Sequence, residues 1–241
     1  MPQSIRARAA VTGLAAVVIL VGLAAAARIV LPVEAWFPLK AAACFALVAV
    51  VVVARISPAN HPFTVFGAAN QVTTARAAFV SLVAGAIGEP RDPAIAAAAA
   101  AAAMAVTMMD GVDGWLARRQ RTASAFGARF DMETDSLLIL VLSILAWMYG
   151  KAGAWVILSG LLRYVFVVAG WLWPWMARPL EPSRRRQAVC VVQVVALIAV
   201  VEPFVTPPLS TVAAAAALAV LAGSFAVDTR WLALHRREQM A

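Results

Sequence analysis

Residues 105–145 read AVTMMDGVDGWLARRQRTASAFGARFDMETDSLLILVLSIL, and Asp110, Asp113, Asp131 and Asp135 fall between two strongly apolar stretches of the chain. On a helix, residues three and four apart lie on one face. Asp110, Asp113, Gly114 and Ala117 have that spacing, and Gly127, Asp131 and Asp135 follow at intervals of four. The pattern predicts two consecutive antiparallel helices whose facing sides gather four carboxylates. Ionised groups beside a bilayer cost about several kcal/mol each unless a metal or counter-charge compensates them.

The rest of the chain explains why such a cluster stands out. Of 241 residues, 63% are hydrophobic and 13% charged, and the mean hydropathy is +0.86. Soluble domains average roughly 45–50% apolar and about 25% charged residues, so the composition marks an integral membrane protein. Apolar blocks lie near 9–31, 36–54, 72–88, 94–112, 130–149, 153–176, 188–206 and 211–229, each near the roughly 17–25 residues of a spanning helix. The runs are continuous rather than alternating, which excludes a β-barrel. The expected fold is all-α: a polytopic transmembrane bundle of about eight helices. A helix pair in residues 1–60, without polar constellations, precedes a six-helix core in 61–241. The first block exceeds a signal-peptide core in length and is read as a retained helix.

The net charge is +8. Arg6, Arg8, Arg55, Arg76, Arg118, Arg119, Arg121, Arg129, Arg178, Arg184, Arg185, Arg186, Arg230, Arg236 and Arg237 fall on one side of an alternating topology. Arg28, Lys40, Arg91 and Lys151 fall on the other. This bias predicts a bacterial cytoplasmic (inner) membrane protein with both termini and the aspartates on the cytoplasmic side. Orientation and attraction to anionic membrane lipids account for the basic excess, and no nucleic acid is implied. Cys44 and Cys190 lie far apart inside apolar blocks and read as small hydrophobes. His61 and His235 have no partners at ligand spacing, and Trp171, Trp173 and Trp175 read as an interfacial belt.

Four carboxylates brought together cannot all stay ionised without cations, and one or two divalent ions are the natural compensation. Ligands that are all oxygen favour Mg²⁺ or Mn²⁺. Gly114 and Ala117 leave room for a ligand beside the metals, and Arg118 suits bidentate binding of phosphate. A structural ion-pair network with nearby arginines is the alternative for these aspartates.

The stretch resembles the signature of the CDP-alcohol phosphotransferases, D-x-x-D-G-x-x-A-R, eight residues, G-x-x-x-D-x-x-x-D, with all eight specified positions matched at the right spacing. Asn70-Gln71-Val72-Thr73-Thr74-Ala75-Arg76 also resembles the N-x-x-T-x-x-R segment that precedes the motif in many members. The resemblance implies an enzyme that displaces CMP from a CDP-linked donor with an alcohol, using two divalent ions. Asp110, Asp113, Asp131 and Asp135 would hold the metals, and Asp135 would act as general base. Asn70, Thr73, Arg76, Asp113, Gly114, Ala117, Arg118 and Gly127 would bind the CDP donor, expected to be CDP-diacylglycerol. Family members are often homodimers, an expectation carried over with the rest.

For the acceptor, Arg163 stands alone inside an apolar block, and an intramembrane arginine faces a bundle interior or a wet cavity by default. With Arg184, Arg185 and Arg186 it points to an anionic alcohol, such as a sugar or polyol phosphate. The alternatives are CDP-choline or CDP-ethanolamine donating to diacylglycerol, a transporter with an acidic coupling site, and a non-catalytic membrane scaffold, against which the intact Asp110, Asp113, Asp131 and Asp135 argue. Against the transporter, the aspartates lie at helix ends rather than near the midplane.

Overall fold

The computed structural model describes residues 4–120, 122–178, 180, 181 and 183–235. Arg121, Arg236, Arg237 and the side chain of Arg118, all named above, lie outside the described residues. Among the described residues every regular element is helical: α1 (Ile5–Val30), α2 (Phe37–Arg55), α3 (Ala68–Gly85), α4 (Pro93–Gln120), α5 (Ala125–Met148), α6 (Leu158–Leu172), α7 (Arg184–Val201) and α8 (Leu209–Leu234). Short 3₁₀ turns at Ala154–Ile157 and Pro174–Ala177 flank α6.

Among the described residues five stretches are long and apolar enough to cross a membrane: α1, α2, Pro93–Ala117 of α4, Ala154–Leu172 and α8. The chain is an integral membrane protein. The other three helices fall short of that composition because they carry the polar groups singled out above. α3 holds Asn70, Gln71, Thr73, Thr74 and Arg76; α5 holds Asp131, Glu133 and Asp135; α7 opens on Arg184, Arg185 and Arg186. Several helices also outrun their apolar blocks. α4 continues to Gln120 rather than stopping near 112, and α5 starts at Ala125 rather than near 130. Hydropathy marks where apolar side chains end, whereas backbone hydrogen bonding continues until a turn interrupts it. The signature therefore lies within helix on both sides of a link of four residues.

Local sequence accounts for the starts. Ser4 Oγ accepts from Ala7 N–H at 3.3 Å ahead of α1, and Asp92 Oδ1 accepts from Ala94 N–H at 2.7 Å at the start of α4; both satisfy amides that a first turn leaves unpaired. Pro93 opens α4, a position where its missing N–H costs nothing. Gly67, at φ 83°, turns the chain into α3.

The helices group into two compact units divided between Val141 and Leu142, with α5 running across the division. In the first, α1 packs on α2 and α3, α2 on α3, and α3 on α4. Its apolar core includes Leu20, Phe45, Ile56, Phe66, Phe126 and Phe130. At one end Glu89 joins two connections, accepting from Glu34 N–H at 2.6 Å and pairing with Lys40.

In the second unit, α8 packs on α6 and α7. Lys151, one of the few charges on the side opposite the aspartates in the expected topology, is 7% exposed. Its Nζ donates to the carbonyls of Glu202 at 2.9 Å, Pro203 at 3.2 Å and Val205 at 2.7 Å. Its own carbonyl accepts from Ser210 Oγ at 2.7 Å and Thr211 Oγ1 at 3.1 Å. One ammonium with three protons thus satisfies the chain just past the end of α7. Lys151→Met keeps the stem and removes the ammonium from the Pro203 and Val205 carbonyls, while Glu202 O still accepts from Val205 N–H at 3.2 Å. The expected loss is about 2–6 kcal/mol, at about 1–3 kcal/mol for each of the two unsatisfied groups. A lowered melting temperature of the purified protein is the readout; an unchanged one would mean that water replaces the ammonium.

Candidate metal centre

Three helices of the first unit build the site. α3 contributes Thr73 and Arg76, one turn apart on one face; α4 contributes Asp110 and Asp113; α5 contributes Asp131 and Asp135. Arg76 is fully buried and meets all four carboxylates. Its Nη2 lies 2.7 Å from Asp110 Oδ1 and its Nη1 2.5 Å from Asp113 Oδ2, and it also pairs with Asp131 and Asp135. Thr73 Oγ1 donates to Asp113 Oδ2 at 3.1 Å, and Gly114 N–H donates to Asp113 Oδ1 at 2.7 Å. Asp113 is thereby the most enclosed member, its side chain 5% exposed against 36% for Asp110 and 38% for Asp131. The cluster has a closed side at Asp113 and Arg76 and an open side at Asp110 and Asp131.

The alternative of an ion-pair network therefore exists, and among the described residues its cation is Arg76 of α3. It is also incomplete as a neutralising device. Among the described residues one guanidinium stands against four carboxylates, which leaves a large negative excess in a partly desolvated place. Arg76 Nε is buried without a hydrogen-bond partner, so the carboxylates are engaged through the terminal nitrogens. Ligand oxygens of Asp110, Asp113 and Asp131 lie within 4.8 Å of one another. A compact donor set made only of carboxylate oxygens fits a hard divalent cation. Asp135 stands outside that trio and joins it through Arg76.

The remaining predicted donor-site residues surround this cluster unevenly. Asn70 is buried, and its Nδ2 donates to Phe66 O at 2.6 Å. Its Oδ1 lies 3.0 Å from where a Cβ on Gly127 would sit, so the glycine allows α5 to begin against α3. Gly114 and Ala117 are half-buried on α4.

The predicted acceptor residues belong to the second unit. Arg163 is half-buried on α6, and Arg184 is exposed at the start of α7. Arg185 donates to Ser224 O at 2.9 Å and pairs with Asp228, while Arg186 Nη1 lies 3.2 Å from Asp228 Oδ1. Asp228, 7% exposed, escaped notice in the sequence, although a lone acid within the apolar block of α8 is a signal in itself.

His61, which has no partner at ligand spacing in the sequence, is held by other contacts. It is 1% exposed, with Nδ1 2.9 Å from Ser124 Oγ and Nε2 2.9 Å from Val65 O. Neither partner lies at a spacing that a ligand search would flag.

A family model described as CDP-alcohol phosphatidyltransferase matches residues 66–223, well over half of the chain. No curated protein and no solved structure matches the chain.

Proposed function

The chain belongs to the CDP-alcohol phosphatidyltransferase family, and we propose that it transfers the phosphatidyl group of CDP-diacylglycerol to an anionic alcohol, releasing CMP at the cytoplasmic face of an inner membrane. The observation that carries this is the gathering of Asp110, Asp113, Asp131 and Asp135 from two helices around Arg76. Those aspartates would hold two divalent ions, Mg²⁺ or Mn²⁺, which when bound supply charge stabilisation on the diphosphate and its leaving group. The match beginning at residue 66 supports treating residues 1–60 as an added helix pair and 61–241 as the catalytic core.

In the proposed reaction the acceptor oxygen forms a bond to the phosphorus that carries diacylglycerol. The bond from that phosphorus to the bridging oxygen of CMP breaks, and CMP leaves with the electron pair. The acceptor's proton passes to a carboxylate oxygen of Asp135, which stands apart from the Asp110, Asp113 and Asp131 trio. Thr73 and Gly114 N–H orient Asp113 by one hydrogen bond to each oxygen, and a carboxylate so held needs no reorganisation when it takes up a cation. Gly114 and Ala117 keep the neighbouring helix surface low for the nucleotide, and Arg118 binds the diphosphate.

The test is CMP release by purified protein with Mn²⁺ and CDP-diacylglycerol across glycerol phosphate, inositol phosphate, inositol, serine and choline, with CDP-choline plus diacylglycerol as the other donor pair. Metal-dependent release with a phosphorylated polyol is expected. Release only with a neutral acceptor would overturn the anionic assignment, and activity only with CDP-choline would reverse donor and acceptor. Arg163→Ala is expected to raise KM for the anionic acceptor by roughly tenfold or more, as loss of a charge-assisted hydrogen bond does, with CDP-diacylglycerol binding little changed. Equal losses for both substrates would remove Arg163 from the acceptor site.

A further inference from the structure

Asp131 and Asp135 sit one and two turns beyond Gly127, so their placement depends on where α5 starts and how it is rotated. That start is held by the connection between α2 and α3. A carbonyl only accepts, so the contact with Val65 O puts the proton of His61 on Nε2. In the tautomer with its single proton on Nε2, Nδ1 accepts from the hydroxyl of Ser124 at 2.9 Å. Ser124 Oγ in turn accepts from Gly127 N–H at 3.0 Å, capping α5. The relay runs from Val65 through His61 and Ser124 to the residue from which the two aspartates are counted.

A second connection lies alongside. Phe126 N–H donates to Asn60 O at 3.1 Å. Asn60 is itself pinned, accepting from Ser57 N–H at 3.0 Å and donating to Arg55 O at 2.8 Å. The His61 ring stands edge-on to Phe126 with centroids 6.1 Å apart, and Phe126 belongs to the core formed with α1 and α2. Serine alone suffices as a helix cap. What histidine adds is a fixed direction for the Ser124 hydroxyl and a tie to a segment outside the family-matched residues 66–223.

We propose that His61 is a positioning residue for the carboxylates of α5. Through Ser124 it sets the start and rotation of that helix, and the α2–α3 connection, anchored on the N-terminal helix pair, braces the metal centre. The inference rests on the metal reading of the four aspartates.

The test is Mn²⁺ titration of the full chain in detergent, followed by the spin-resonance signal of free Mn²⁺ well below each variant's melting temperature, together with steady-state kinetics. His61→Ala and Ser124→Ala are each expected to weaken Mn²⁺ binding about tenfold and to lower kcat with KM for CDP-diacylglycerol unchanged. The double variant should be no worse than either single one, since both cut the same relay. Ser124→Thr, which keeps the hydroxyl, should behave as the unaltered protein. Should His61→Ala fail to fold, His61→Phe, which keeps a ring against Phe126 but cannot accept from Ser124, carries the test in its place. A lower melting temperature with Mn²⁺ affinity and kcat at the unaltered level would overturn the proposal, as would losses that add in the double variant. If the unaltered protein binds no Mn²⁺, the metal reading falls and the brace with it; normal binding by the unaltered protein and both variants overturns the brace alone.

Discussion

Asp135→Asn is expected to slow CMP release by roughly 10²–10⁴-fold, the range of general-base contributions, in a protein that still folds and still binds CDP-diacylglycerol. The amide keeps the shape of the carboxylate but cannot take the acceptor's proton. It can still meet Arg76, which reaches Asp110, Asp113 and Asp131 independently of Asp135. Saturating Mn²⁺ separates the loss of a base from any weakening of metal binding, and calorimetric titration with donor reports the binding step. Turnover within tenfold of the unaltered enzyme under those conditions would remove Asp135 from the base role.

The second large effect concerns stability. Arg76→Gln should destabilise the protein in the presence of a chelator by about 3–5 kcal/mol, the usual cost of deleting one partner of a buried ion pair. Four carboxylates then face one another without the guanidinium that pairs with all of them. Mn²⁺ should reverse most of that loss, and should bind the variant more tightly than the unaltered protein, because a competing positive charge has left the centre of the cluster. Arg76→Lys should fall between the two, since one ammonium keeps the charge but lacks the planar fork that spans several carboxylates. Melting curves with chelator and with Mn²⁺ decide the matter. Equal melting temperatures for Arg76→Gln and the unaltered protein in chelator would show that Arg76 is not the counter-charge.

The two predictions share a physical origin that the sequence showed only in part. The spacing of Asp110 with Asp113, and of Gly127 with Asp131 and Asp135, is a statement about one helix at a time. Backbone periodicity converts such spacing into a shared face with no help from the rest of the chain. The same holds for the number and approximate position of the helices, because about 20 apolar residues have few other ways to satisfy their backbone beside lipid. The family signature was legible for this reason: its residues are close in sequence, and their separations carry the geometry.

What brought those faces together was not local. Arg76 reaches Asp113 across 37 positions and Asp135 across 59, and His61 reaches Ser124 across 63. Arg76 looked like one member of a donor-binding segment until α3 packed against α4 and put its guanidinium among the aspartates. His61 showed no partner at ligand spacing, Lys151 counted only as a charge in a short link, and Asp228 passed unremarked in an apolar block. Each is buried because a distant segment covers it and supplies hydrogen bonds that repay its desolvation. Sequence alone determined a membrane-embedded, all-helical chain with carboxylates on two helix faces, since helix periodicity and hydropathy act over one or two turns. Only the tertiary structure decided which cation stands among those carboxylates and which loop holds the start of α5, since both depend on packing between helices remote in sequence.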